Sequence, residues 1–400
     1  MPSAFEKRVK RRVIARPHTF FAVCPPGLGA TCARELAGLG REIQAITPVA
    51  GGIEFTGKLT AGYLANLHLA SPVRILMRLA QFKADSFAKL EKHMAALDWE
   101  LFLPPNVPLD IKASSQKSRL YHTDAVAERC LAVINRALTP SEFSPDGDRI
   151  HPQTLMVRAV NDRFEISLDM SGDPLYKRGM KSKITPAPLR ENLAFTILTA
   201  AGFTPDLPVI DPMCGSGTFS FETARIKAGI PAGFFRRFAF EAWPAFKPGQ
   251  WAFLKREAAG NIQLPEAMDI YASDRDPQVM EVLETNLQGP PGLPVEFPES
   301  ARDFLSKIQA RHMDFFRLKP PTQRPGIILL NPPYGKRLDK GMDTRVFYRE
   351  VGEKLVRDFK GWKLGMIFPG QGIQKLKGLP LSAHPFFHGG LDLVAGLGEI

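Results

Sequence analysis

Four predicted strands in the second half of the chain each lead to a polar residue: Pro208-Val209-Ile210 to Asp211, Asp269 to Ser273 to Asp274, a strand around Ile308 to Arg311 to Asp314, and Gly326 to Leu330 to Asn331. The short apolar runs before Asp211 and Asn331 read as buried strands, the habit of a parallel sheet. Helical spacing at Pro188 to Ala201, from the glycine loop to Lys227, and at Pro277 to Leu287 supplies the crossovers. The expected fold is therefore α/β, an open sheet whose carboxyl strand ends gather the ligand-binding groups.

The last of these ends is Asn331-Pro332-Pro333-Tyr334-Gly335. Two consecutive prolines fix φ and force the preceding asparagine into an extended conformation, so the turn is rigid. Taken alone it is as readily a plain turn. As a site, it suits gripping a planar, poorly nucleophilic ring amine: the Asn331 side-chain oxygen and the Pro332 carbonyl would accept its hydrogens and support the charge forming on nitrogen. Tyr334 would stack on the ring.

The first end is Asp211-Pro212-Met213-Cys214-Gly215-Ser216-Gly217-Thr218-Phe219. Gly215 and Gly217 let backbone approach a ligand, and the following helix offers free amides. The loop lacks the Lys-Ser/Thr pair of a P-loop and the three spaced glycines of a dinucleotide fingerprint. An acid before Gly-x-Gly suits a cationic or uncharged ligand such as S-adenosylmethionine, with its ammonium on Asp211. Asp274 is placed for ribose hydroxyls, Asp314 for an adenine amine, and Phe315 to pack against the ring.

Together, Asp211 to Phe219 and Asn331 to Gly335 resemble the motifs of amino methyltransferases. The form Asp-Pro-Met-Cys-Gly-Ser-Gly-Thr, the segment Pro188 to Ala194 and the linker Leu175 to Gly179 are similar to those of the THUMP-domain guanine-N2 RNA methyltransferases of the RlmL type. The resemblance implies a Rossmann-like class I methyltransferase domain over 185–400, preceded by an α+β ferredoxin-like domain (18–84) and a THUMP domain with linker (85–184). It implies S-adenosylmethionine as cofactor and a guanine of large-subunit ribosomal RNA as substrate. Asp211, Gly215 and Gly217 would hold the methionine part, with Pro212, Cys214 and Thr218 in the same loop. Asp274 would take the ribose, Asp314 the adenine, Asn331 to Tyr334 the target base, and Arg190 the methionine carboxylate.

The front half fits that implication. Thr19–Val23, Leu28–Leu39, Ile43–Phe55 broken at Gly51-Gly52, Leu59–Leu69 and Arg74–Phe82 give a strand-helix-strand-strand-helix-strand order. Helices at Phe87–Leu97 and Thr123–Leu138, the latter with a threonine N-cap, a strand at Pro108–Ala113, a turn-rich insertion at Pro140–Pro152 and a hairpin around Asn161-Asp162 follow. Residues 1–17 read as a disordered basic arm. Tyr176, Lys177 and Arg178 are groups fit to touch RNA, and residues 228–267, rich in Phe and Trp, form an insertion that would either stack on bases or build a local core.

Net charge +11 and a pI of about 9.5 favour an acidic partner, RNA here. Lys plus Arg outnumber Asp plus Glu by 12 to 4 in residues 1–84 and 30 to 24 in 171–400, but trail 10 to 13 in 85–170. The attraction would then come from the two ends. Cys24, Cys32, Cys130 and Cys214 show no zinc-like spacing and read as reduced, buried thiols. His384 and His388, four apart, would share a helix face, but Pro385 lies between and no third ligand is evident, so no metal is expected. No apolar run reaches the ~18 residues of a membrane span, and the reading is cytoplasmic. A transfer RNA guanine-N2 methyltransferase, a DNA adenine-N6 methyltransferase, a protein glutamine methyltransferase and a non-catalytic RNA-binding assembly factor are the alternatives.

Overall fold

The computed structural model describes residues 3–105, 107–138, 152–185, 188–290, 292–333, 344–370, 376 and 379–400. The chain divides into two compact units: Met1–Cys24, Cys32–Leu175 and Arg236–Leu254 form the first, and Pro25–Thr31, Tyr176–Phe235 and Lys255–Ile400 the second.

The first unit is built on one seven-stranded sheet. Its strands are β1 (His18–Val23), β2 (Gln44–Val49), β3 (Gly52–Gly57), β4 (Arg74–Lys83), β5 (Leu109–Gln116), β6 (Gln153–Val160) and β7 (Arg163–Asp169), in the order β2-β3-β1-β4-β7-β6-β5. The ferredoxin-like pattern occupies β1 to β4. It does not end at a sheet edge, because β4 pairs antiparallel with β7, Phe82 opposite Phe164 and Met77 opposite Leu168. Alternation puts Phe164, Ile166 and Leu168 into the core, all fully buried. The β6–β7 hairpin turns on Asn161 and Asp162, both at positive φ (51° and 62°), as a two-residue primed turn requires.

The amino-terminal segment is not a disordered arm. Ala4–Val9 is a helix with a Ser3/Glu6 capping box, continued by a wider turn over Lys10–Ile14. Val9 and Val13 are buried, Arg8 pairs with Glu100 at 2.6 Å and Asp98 at 3.3 Å, and Arg12 also meets Asp98. Part of the basic charge assigned to phosphates is thus spent on the protein's own carboxylates. The helix Thr123–Ala137 has His122 rather than Thr123 at its N-cap, with no side-chain cap bond. The turn-rich insertion falls outside the described residues apart from Pro152.

Residues 236–254 of the aromatic insertion belong to this first unit. Phe238, Phe240, Trp243 and Trp251 are buried; Phe240 stacks on Tyr63 at 4.5 Å, and the Trp243 indole N–H donates to Gln153 Oε1 at 2.7 Å. These rings form a core and offer no face to RNA bases.

The second unit holds β8 (Val209–Asp211), β9 (Ile270–Asp274), β10 (Gln309–His312), β11 (Ile327–Leu330), β12 (Lys363–Pro369), β13 (Ser382–His388) and β14 (Leu391–Glu399), ordered β10-β9-β8-β11-β12-β14-β13. The first five are parallel, and β14 runs antiparallel to β12 and β13. Ile327 and Leu329 enter a core with Leu193, Ile197 and Phe219, while Ile328 and Leu330 enter another with Val351, Leu355 and Phe359. A strand covered on both sides must be apolar at every position, which is why β11 reads as an unbroken run. His384 and His388 lie on strand β13, not on a helix: His388 sits 3.2 Å from the Pro188 carbonyl, and His384 beside the Ser382 hydroxyl. The helix Glu191–Ala200 begins after Arg190, so Pro188 precedes it rather than occupying its first turn.

Candidate active site

Strand order reverses at β8, whose neighbours β9 and β11 lie on opposite sides, and at such a switch point the carboxyl ends of adjacent strands open a crevice. A cavity of about 400 Å³ lies there, within the second unit. Asp211, Pro212, Cys214, Gly215, Thr218, Asp274, Asp314, Phe315, Asn331 and Pro333, drawn from four strand ends, line it. Pro332 is buried and is not a lining residue; Tyr334 lies outside the described residues.

Asp211 is 1% exposed. Its Oδ2 accepts from the Ser220 amide at 3.2 Å and hydroxyl at 2.7 Å, and among the described residues its Oδ1 has no hydrogen-bond partner. Burial pushes this carboxyl up to about 7, with the nearby Asp274 adding to the rise and Ser220 opposing it. The Asn331 Oδ1 and Ser216 Oγ are likewise buried without partners, and both residues line the same cavity. A buried acceptor left unpaired costs ~1–3 kcal/mol. Three such oxygens around one space describe a site shaped for a ligand's donors.

Asp274 knits two strand ends together. Its Oδ2 accepts from the Gly215 amide at 3.0 Å and its Oδ1 from the Asp276 amide at 3.1 Å. Gly215 has φ 55°, and the glycine loop thereby turns its amide to β9. Gly217, at φ 83°, is the N-cap of the helix Thr218–Lys227; a Cβ there would lie 2.6 Å from Leu283 Cδ1, so its need is packing, and it does not line the cavity. Cys214 is an inert thiol, since burial and two neighbouring aspartates push its pKa well up.

The Asp314 carboxylate accepts from the Phe316 amide at 2.7 Å and caps a single turn. Phe315 is buried and stacks on Phe359, whereas Phe316 is 37% exposed and meets Phe347 edge-on at 6.1 Å. Both phenylalanines line the cavity. Sequence reasoning missed Phe316 and Phe347. The repeat Phe315-Phe316 was a signal for the first; nothing local marks the second, which comes from the helix Thr344–Asp358.

Arg190 is exposed, with its guanidinium 4.9 Å over the Tyr176 ring, and does not line the cavity. Lys181 is the cation nearer the loop, bonded to Thr218 Oγ1 at 3.0 Å and Glu191 at 2.6 Å. Arg178, read as an RNA contact, is instead 2% exposed and pairs with Glu222 at 3.1 Å, which Arg225 also holds at 2.9 Å. Burial alone would raise the Glu222 pKa; the two guanidiniums outweigh it and hold it below the usual range. Arg178→Ala is accordingly expected to cost about 3 kcal/mol in urea unfolding. A variant as stable as the wild type would return Arg178 to the surface role.

Residues 178–375 match the family described as RMKL-like, methyltransferase domain, and residues 19–76 the RlmL ferredoxin-like domain. The Synechocystis protein named "Putative RNA methyltransferase slr0064" is 30% identical over 381 residues, covering 94% of this chain and 95% of that one. Ribosomal RNA large subunit methyltransferase K/L of Methylococcus capsulatus is 35% identical over 367 residues, 87% of this chain but 46% of the relative. The chain thus spans about half the length of the K/L relatives it matches. Among solved structures, SMU.472 complexed with SAH superposes with TM-score 0.82 at 26% identity, covering 96% and 98% of the two chains. TrmN from Thermus thermophilus, at TM-score 0.65 and 18% identity, shares the fold.

Proposed function

Because the chain belongs to the RMKL-like methyltransferase family and carries that family's RlmL ferredoxin-like domain, we propose that it methylates the exocyclic N2 amine of a guanine in large-subunit ribosomal RNA. The observation that carries this reading is the pair of unpartnered buried oxygens, Asp211 Oδ1 and Asn331 Oδ1, lining one cavity. The first suits an ammonium and the second an amine that must lose delocalisation.

S-adenosylmethionine is the cofactor, and when bound it supplies an electrophilic methyl group on a sulfonium. Among the described residues four aspartates (Asp211, Asp274, Asp276 and Asp314) line the cavity against one cation, Arg275, a balance that suits a cationic ligand. Asp211 would hold the methionine ammonium, Asp274 the ribose, and Asp314 with Phe315 and Phe316 the adenine. The protein's own part is alignment and charge support. Asn331, fixed by the prolines after it, accepts from the target amine and stabilises the positive charge growing on nitrogen. A guanine paired in a duplex would not reach these groups, so the substrate base is single-stranded or flipped out.

The RNA reading draws on the names of the relatives, on the THUMP-like module expected after the ferredoxin-like domain, and on the basic balance of the chain. Mass spectrometry of ribosomal and transfer RNA from cells lacking the gene tests it. One N2-methylguanosine should vanish from large-subunit ribosomal RNA. Its loss from transfer RNA, or no loss at all, would overturn the assignment.

A further inference from the structure

The loop Lys117–His122, between β5 and the helix Thr123–Ala137, has a fixed backbone and exposed side chains. Asp162 Oδ1 accepts from the Arg119 amide at 2.6 Å, Ser118 Oγ accepts from the Asp162 amide at 3.0 Å, and Ser115 Oγ donates to the Leu120 carbonyl at 2.8 Å. Leu120 is buried beneath. On this base stand Lys117, Arg119, Tyr121 and His122, all exposed, the Arg119 side chain 75% and Tyr121 66%. The Tyr121 and His122 rings lie 4.1 Å apart, tilted by 39°. Beside the same turn, Arg163 opens β7 opposite Lys83 at the end of β4, both exposed. Among the described residues no carboxylate pairs with Lys83, Lys117 or Arg163, and Arg119 reaches only Asp85, at 3.8 Å.

We propose that this cluster is a docking site for single-stranded RNA, with a base stacked on Tyr121 and phosphates on Lys117, Arg119 and Arg163. The partner class rests on the RNA methyltransferase reading above. Four cations around an aromatic pair in water suit a polyanion that carries rings. A protein partner would want an apolar centre, which the surrounding charges deny. A single strand fits better than a duplex because only unstacked bases present a free face. The anchored backbone keeps the ordering cost of binding low. Residues 85–170 are net acidic in total, so the cluster is a local concentration that the average conceals.

The test uses the full chain, a mixed-sequence single-stranded oligoribonucleotide, a duplex of the same length and a large-subunit ribosomal RNA transcript. Tyr121→Ala should weaken binding of the single strand ~10-fold, Tyr121→Phe should not, and the duplex should be insensitive to both. Replacing Lys117 and Arg119 together with glutamine should reduce the slope of log affinity against log salt by ~1.4. S-adenosylmethionine affinity should be the same in every variant, since none lines the cavity. Unchanged oligonucleotide affinity and slope, with the transcript still methylated by the wild type, would overturn this site and leave the function standing. A wild type that binds the oligonucleotide through Tyr121 yet methylates no RNA would overturn the function and leave the site.

Discussion

Asn331→Ala is expected to reduce methyl transfer by ~100-fold or more, the scale of removing one preorganised acceptor from a transition state, while leaving S-adenosylmethionine affinity nearly intact. The asymmetry follows from where the oxygen stands. Asn331 Oδ1 is buried, has no partner and lines the cavity at the end of β11. Among the described residues this oxygen accepts no hydrogen bond, so its removal breaks none there. Single-turnover assays beside calorimetry separate the two effects. Turnover within a few-fold of wild type would remove the central assignment, and an equal loss in cofactor binding would move Asn331 to the cofactor.

Asp211→Asn should act in two opposite directions. Cofactor affinity should fall ~100-fold, the scale of truncating one partner of a buried charge pair, and the unliganded protein should become more stable at pH 8. The carboxyl ionises near pH 3.8 when unfolded and at about 7 when folded. Between those values the native state holds more protons than the unfolded one, so stability falls as pH rises through this window and the loss is complete above it. Roughly three pH units correspond to about 4 kcal/mol. An asparagine avoids that penalty and keeps an acceptor for Ser220, but its amide inherits the unpartnered position, at ~1–3 kcal/mol. A net gain of about 1–3 kcal/mol in urea unfolding at pH 8 is expected, shrinking as pH falls and turning into a loss of roughly 1–2 kcal/mol near pH 4. A destabilised variant at pH 8, or cofactor affinity that does not weaken, would show that the charge at 211 is not held for a cation. The same group predicts weaker cofactor binding by the wild type below pH 7, where the carboxylate is protonated.

Strand ends were the most legible part of the sequence. A buried Ser273 precedes Asp274, but Asp211 and Asn331 each follow a stretch covered on both faces, and such stretches stay continuous and apolar until the chain leaves the sheet. The first polar residue then marks the carboxyl edge. Arg178 was misread because its partner, Glu222, lies on a helix 44 residues on, and no spacing rule joins them. The amino-terminal segment was misread because its basic content is visible while Asp98 and Glu100, which hold it, are remote. The histidines of β13 mislead by their spacing: i and i+4 share a face on a strand as well as on a helix.

By itself the sequence determined the alternation of strands and helices, the acids and the asparagine that end them, and the rigid prolines beyond, because these depend on local periodicity and backbone sterics. Tertiary structure alone decided which oxygens stay unpaired, that Phe347 joins Phe316 at the cavity, that residues 236–254 build the core of the first unit, and that Lys83, Lys117, Arg119 and Arg163 gather at one turn. Those outcomes are contacts between distant segments, and burial and charge proximity are properties of the packed chain that no window of sequence contains.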